Sequence, residues 1–219
     1  AQHIQKLAVC DGYGNTLKFK KTTKDRWLVV CSNADEVVLK YNVYAKELGG
    51  GSTYLDVDQL YVNPINCCMY VVGREWEECS LQLDIPNEWR VAIGLPIIGK
   101  NKFVAKSFDH LADSPFIASG MLQHNSYEVA GVKFNLWFQG EFKPEWGRII
   151  QAFTAFTEVH LDAMKSFPFD EYHFLFQICT YPIYHGVEHH NSTIIVLGPS
   201  YDIMKETKYY DFLGVSSHE

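Results

Sequence analysis

The chain has 219 residues, of which 47% are hydrophobic and 15% aromatic, so it can bury one substantial core or two modest ones and is not a disordered chain. Its 19 Lys and Arg against 26 Asp and Glu give a formal net charge of -7, which disfavours a nucleic-acid partner because phosphate backbones attract basic surfaces. No apolar stretch reaches the roughly 18 residues of a membrane span, and the oligomeric state is not predicted by the sequence.

From residue 17 to about 138 the apolar residues mostly alternate with polar ones, as in Val132-Phe134-Leu136-Phe138. A period of two indicates strands with one buried face. Turn-forming residues separate these runs at 11–15, 49–52 and 85–87. We therefore predict a mainly antiparallel β domain, of the sandwich type, over residues 1–142.

At Pro144 the hydrophobic period changes to three and four, which is typical of an amphipathic helix. The pattern predicts a helix over 145–166, with Pro144 in its first turn. The following segments are predicted as a strand at 173–180, a polar loop at 185–192, a short apolar run at 193–197 that forms an edge strand, and a helix that starts at Ser216 or Ser217. This order of elements predicts a second, α/β unit over residues 143–219, although roughly 75 residues are few for a complete catalytic domain.

Chemically reactive side chains are concentrated in the predicted loop. His185, Glu188, His189 and His190 lie within six consecutive positions, and Gly186 lies among them. The residues alone permit a metal site, since imidazole and carboxylate groups both bind zinc, or an exposed polar loop. Six cysteines also lack any paired metal-binding spacing.

The last two residues, His218 and Glu219, follow Ser216 and Ser217, hydroxyl residues that can cap a helix. A helix that starts there could carry the motif H-E-x-x-H, in which two histidines bind zinc and the glutamate acts as a general base.

Three segments resemble one family. Residues 184–197 resemble the signature G-G-L-E-H-x-x-S-T of glycyl aminopeptidases, residues 213–219 resemble the run into that family's H-E-F-F-H helix, and residues 108–115 resemble its L-x-D-S-P stretch. The chain is thus similar to the glycyl aminopeptidase-type zinc metallopeptidases, a gluzincin family related to aminopeptidase N and usually carrying a PDZ domain. The resemblance covers nearly the whole chain and is most specific from residue 108 onward.

The resemblance implies a zinc-dependent aminopeptidase that removes N-terminal residues, glycine or alanine among them, from peptides with a free amino terminus. It assigns residues 1–142 to the family's amino-terminal domain, in which further strands precede this part. Residues 143–219 would be the beginning of a thermolysin-like catalytic domain, ending within H-E-x-x-H. The chain by itself is then expected to be inactive.

The resemblance also assigns roles to five residues. His218 would be the first zinc ligand and Glu219 the general base. Glu188 would bind the amino terminus of the substrate, while Gly186 and Val187 would line the cleft. The other zinc ligands of the family follow residue 219, so no zinc is expected at the catalytic position of this chain.

Two departures from the family pattern affect specificity. His185 replaces the first glycine of the signature, and Val187 stands where leucine is usual. A preference for N-terminal glycine therefore does not transfer automatically. Two alternatives of another class stay open from the sequence: a non-catalytic β-sandwich binding module, and a pseudoenzyme that keeps the fold without the site.

Overall fold

The computed structural model describes residues 3–31 and 33–219. In these residues the chain forms sixteen strands and three α-helices. The strands are β1 (Ile4–Asp11), β2 (Phe19–Lys21), β3 (Trp27–Val29), β4 (Val37–Val43), β5 (Tyr54–Leu55), β6 (Gln59–Val62), β7 (Cys79–Gln82), β8 (Arg90–Ile93), β9 (Ile97–Gly99), β10 (Lys102–Ala105), β11 (Phe116–Ser119), β12 (Gln123–Val129), β13 (Val132–Gln139), β14 (Glu171–Ile178), β15 (Ile183–Glu188) and β16 (Ser192–Gly198). The helices are α1 (Phe108–Ala112), α2 (Trp146–Met164) and α3 (Glu206–His218).

The first eleven strands form four small antiparallel sheets among the described residues. Their orders are β1-β4, β2-β3, β7-β10-β9 and β5-β6-β11-β8. The β-rich, antiparallel character expected of this part is confirmed. Its strands are divided among several sheets because most of them have only two to four residues before a turn interrupts them.

The last five strands form one mixed sheet in the order β12-β13-β14-β16-β15. Strands β13, β14 and β16 run parallel, and β12 and β15 pair antiparallel at the two edges. Hydrogen bonds of this sheet therefore cross the boundary that the sequence places near residue 142, because β12 and β13 lie before it and the other three strands lie after it.

Helix α2 connects the parallel strands β13 and β14, as a crossover between parallel strands requires. The helix predicted over 145–166 is confirmed. Ile149 and Phe153 are fully buried, and they pack with Phe176 of the sheet and Phe212 of α3 in one core cluster. The helix ends at Lys165, whose φ of 63° breaks the helical path.

The opposite face of the sheet packs against one of the small sheets, β5-β6-β11-β8. Leu175 and Ile194 form a second cluster with Tyr61 and Ile117, all fully buried. Since β14 and β16 are covered on both faces, they are nearly continuous hydrophobic runs. No helix within the described residues has the length and hydrophobicity that crossing a membrane requires.

Three local predictions were wrong. Half of the polar loop expected over 185–192 is strand β15, and residues 189–191 form the turn before β16. The run 193–197 was expected at a sheet edge, but β16 is internal and β15 is the edge strand. Helix α3 begins at Glu206 rather than at Ser216 or Ser217, because Tyr209, Phe212 and Val215 pack into the core one turn apart.

Candidate active site

Successive side chains of strand β15 point to opposite faces of the sheet and therefore contact different parts of the chain. The ring Nδ1 of His185 and Cγ2 of Val187 lie 2.6 and 2.7 Å from the point where a Cβ on Gly50 would stand. Gly186 instead lies against the side chain of Glu219. The sheet therefore directs Gly186 and Glu188 towards the end of α3, and His185 and Val187 towards the amino-terminal part of the chain.

The two glutamates of the candidate site meet beside Gly186. Glu188 ends β15 and Glu219 follows α3, and the two carboxyl groups lie close enough to influence each other's charge. Burial raises the pKa of Glu219, and the negative charge of Glu188 raises it further, while His218 and His185 act in the opposite direction. Glu219 thus holds a proton at a higher pH than an exposed glutamate does.

Gly186 is required by the close approach of Glu219. A Cβ at position 186 would lie 2.2 Å from Oε1, 2.4 Å from Cδ and 2.6 Å from Cγ of Glu219. These distances are far shorter than van der Waals contact. Any side chain at 186 would therefore displace the carboxyl group of Glu219.

Tyr172 of β14 lies beneath the carboxyl pair. Its hydroxyl donates to the backbone oxygen of Glu219 over 3.4 Å. Burial, and after it the charges of Glu219 and Glu188, raise the pKa of Tyr172, so its phenol is neutral at physiological pH. Sequence reasoning missed Tyr172 because an aromatic residue in a buried strand is most often part of the core.

The three histidines of the signature segment are separated by the fold. His185 faces Gly50, the ring of His189 contacts Asp113, and the ring of His190 packs edge-on against His110 at 5.2 Å between centroids. The interpretation of this cluster as a metal site is therefore not supported.

His218 is an exposed residue at the end of α3, next to Glu219. Within residues 3–31 and 33–219, no three His, Cys, Asp or Glu side chains are grouped as a metal ion would require. His218 thus offers one imidazole donor, and the described side chains alone do not complete the three protein ligands of a catalytic zinc.

The turn after Glu188 contacts the amino-terminal part of the chain at two points. Nδ1 of His189 lies 2.8 Å from Oδ1 of Asp113, and Nδ2 of Asn191 donates to the carbonyl of Gly94 over 2.9 Å. Asp113 belongs to the L-x-D-S-P stretch, to which sequence reasoning assigned no role. Only that motif signalled its importance; nothing in the sequence signalled Gly94.

Comparison with known proteins agrees with these features. Residues 1–120 match the model of the peptidase M61 N-terminal domain. Among curated proteins, none matches the sequence.

Among solved structures, an aminopeptidase N family protein from Idiomarina loihiensis matches with 30% identity and a TM-score of 0.90. The match covers 100% of this chain and 39% of that protein, so this chain spans well under half of its length. This chain therefore has the fold of the corresponding part of that protein.

Two crystal structures of M1 zinc metallopeptidases match more weakly. A mutant of the enzyme from Deinococcus radiodurans has 12% identity and a TM-score of 0.48, over 90% of this chain and 53% of that one. A two-domain mutant enzyme bound to L-arginine has 11% identity and a TM-score of 0.48, over 100% of this chain and 57% of that one. Similarity at this level does not establish a shared fold.

Proposed function

This chain belongs to the peptidase M61 family, and we propose that it forms the amino-terminal domain and the first part of the catalytic domain of a zinc-dependent aminopeptidase. The substrates are peptides with a free amino terminus, with glycine and alanine among the residues removed. We propose that the catalytic part begins at about residue 121; the end of the family match at residue 120 and the start of the five-stranded sheet with β12 support this boundary. This start is earlier than the boundary near residue 142 that periodicity alone predicts.

The meeting of Glu188 and Glu219 beside Gly186 is the observation that supports this proposal most strongly. Two carboxylates in close contact repel each other unless a proton or a cation lies near them. The ammonium group of a peptide provides that cation, and a charge-assisted hydrogen bond to Glu188 would place the first peptide bond of the substrate close to Glu219. Binding one chain end in this way restricts the enzyme to terminal residues.

Glu219 is the proposed general base. A base is most effective when its pKa approaches the working pH, and burial with the adjacent charge of Glu188 raises the pKa of Glu219 in that direction. Glu219 would accept the proton of the attacking water and pass it to the leaving amine. Binding of the substrate ammonium to Glu188 would remove part of the repulsion between the two carboxylates.

His218 is the proposed zinc ligand of this chain, and the resemblance assigns the other ligands to later positions. When bound, zinc polarises a carbonyl and lowers the pKa of water. Backbone groups of Gly186 and Val187 would line the substrate cleft along the exposed edge of β15. Because His185 replaces a glycine next to this edge, we propose that the size of the first side chain of the substrate is restricted differently from the family pattern.

The proposal is tested by Glu188→Gln in the full-length, zinc-loaded peptidase, with alanyl and N-acetyl-alanyl anilides as substrates. Loss of a charged hydrogen bond costs about 1.5–3 kcal/mol, so kcat/KM for the free-amine substrate should fall about 10- to 100-fold. The blocked substrate should be cleaved poorly by both proteins. Glu128→Gln, which changes an exposed glutamate of β12, is the matched control.

Equal cleavage of the free and blocked substrates by the unaltered enzyme would refute the proposed function. A fall in stability as large as the fall in activity on Glu188→Gln would instead assign Glu188 a structural role, as in a non-catalytic binding module or a pseudoenzyme.

A further inference from the structure

The turn that follows Glu188 is attached to a different part of the chain by a hydrogen bond between a histidine and an aspartate. His189 comes directly after Glu188, and its Nδ1 lies 2.8 Å from Oδ1 of Asp113, 76 residues earlier in the sequence. Only 6% of the His189 side chain is exposed, against 49% of the Asp113 side chain. A hydrogen bond to a carboxylate is stronger than one between two neutral groups, and the histidine partner of this bond is largely shielded from solvent.

The tautomer of His189 follows from its surroundings. Nε2 is buried and has no hydrogen-bond partner among the described residues. A proton on Nε2 would leave a buried donor unsatisfied, whereas a proton on Nδ1 is donated to Asp113. The Asp113 carboxylate therefore selects the Nδ1–H form and orients the ring.

A second attachment lies two residues further along the same turn. Asn191 donates to the carbonyl of Gly94 over 2.9 Å, and a Cβ on Gly94 would lie only 2.3 Å from Oδ1 of Asn191. This close approach requires glycine at position 94. Within the turn, the backbone N–H of His189 also donates to the carbonyl of Ser192 over 2.9 Å. The end of β15 is thus held at two points by residues of the segment that matches the family's amino-terminal domain.

We propose that Asp113 is a positioning residue, which holds Glu188 in place for the substrate amino group by orienting His189. The proposal rests on the proposed function of Glu188 as the group that binds the substrate amino terminus. Glu188 lies at the exposed edge of the sheet, where β15 has a hydrogen-bonded neighbour on one side only. The direction of its side chain therefore depends on the turn that fixes the end of the strand, and the amino-terminal domain becomes part of the substrate-binding apparatus.

Four substitutions distinguish the effect of losing the hydrogen bond from the effect of changing the side-chain volume. Asp113→Ala removes the acceptor, while Asp113→Asn keeps an oxygen at the same place. His189→Asn keeps an N–H donor near the position of Nδ1, while His189→Gln places its amide further from the backbone, near the position of Nε2. Asp109→Ala removes an exposed carboxylate from α1, the helix that precedes Asp113, and serves as the control.

The first measurement is hydrogen exchange of the His189 amide in the 219-residue chain, which requires no catalysis. Asp113→Ala and His189→Gln should accelerate it, whereas Asp113→Asn, His189→Asn and Asp109→Ala should leave it near the original rate. The second measurement is steady-state kinetics of the full-length peptidase on alanyl anilide. A displacement of Glu188 by about 1 Å should raise KM about 10- to 100-fold for Asp113→Ala with kcat little changed, and Asp113→Asn should restore KM.

Unchanged exchange at His189 in Asp113→Ala would overturn the proposal, because the pair would then not hold the turn. Faster exchange with unchanged KM, in an enzyme whose KM does rise on Glu188→Gln, would also overturn it and leave the pair a purely structural role. If Glu188→Gln itself has no effect on KM, the proposed function of Glu188 fails and the positioning role fails with it. The two failures are therefore distinguishable.

Discussion

Substitution of Gly186 by alanine probes the candidate site through a single methyl group. The new Cβ would stand 2.2 Å from Oε1 and 2.4 Å from Cδ of Glu219. Carbon atoms pack at about 3.5 Å, so the carboxyl group of Glu219 must move by about 1 Å. The displaced atoms are the end of a flexible side chain, so the backbone of β15 can keep its pairing with β16.

This displacement should separate activity from stability. A misplacement of about 1 Å in a catalytic group can cost about 100-fold, and we expect a loss of that order in kcat of the full-length peptidase. The free energy of unfolding of the 219-residue chain should change by less than about 1 kcal/mol, because no core atom is removed and a Gly-to-Ala change restricts the unfolded chain.

The measurements are kcat on alanyl anilide and urea unfolding followed by circular dichroism. Gly147→Ala is the matched control, because a Cβ there would meet nothing within 4 Å and the position lies in α2, where alanine should stabilise by about 1 kcal/mol without changing kcat. An unchanged kcat for Gly186→Ala would refute the role of Glu219 as the base held against Gly186. A loss of several kcal/mol would show that the clash reaches the sheet.

Two further predictions concern the chain itself. Burial lowers the pKa of His173 to about 4 from 6.5, so the unfolded chain binds the additional proton first, and stability should fall by about 3 kcal/mol as the pH is lowered from 6.5 to 4. His173→Asn keeps an acceptor for the indole N–H of Trp137. Its free energy of unfolding, measured with urea at pH 7, 5.5 and 4.5, should fall less steeply with decreasing pH, and an equally steep fall would exclude His173 as the cause. Calorimetric titration of the 219-residue chain with zinc should show weak binding and no turnover of glycyl or alanyl anilides, since no three ligands are grouped in the described residues; tight one-to-one binding with turnover would contradict this.

Local patterns were sufficient where neighbouring residues decide the structure. The change of hydrophobic period at Pro144 predicted α2 within two residues at each end, because Ile149 and Phe153 recur on one face of the helix. Short sequence signatures likewise indicated the family, and the match to its amino-terminal domain confirms that resemblance. They named Glu188, Gly186 and Glu219 as candidates, and the fold brings these three residues together.

Local patterns failed where a distant partner decides the structure. The segment 185–188 has the composition of a polar loop, and it is a strand because β16 supplies backbone hydrogen bonds that satisfy one edge of it. Residues 193–197 have a composition that suits an edge strand and an internal strand equally. Their internal position in the sheet follows from pairing with β14 on one side and β15 on the other.

The sequence by itself determined the family, the amphipathic helix and the identities of the reactive side chains, because each of these depends on residues that are close together along the chain. Only the tertiary structure decided which of the candidates meet. Glu188 and Glu219 are 31 residues apart, and Asp113 and His189 are 76 apart, so their contacts arise from the order of strands in the sheet and from the packing of the amino-terminal part of the chain against it. Contacts between residues distant in sequence depend on the packing of the whole core, which neither local hydrophobic periodicity nor a short motif predicts.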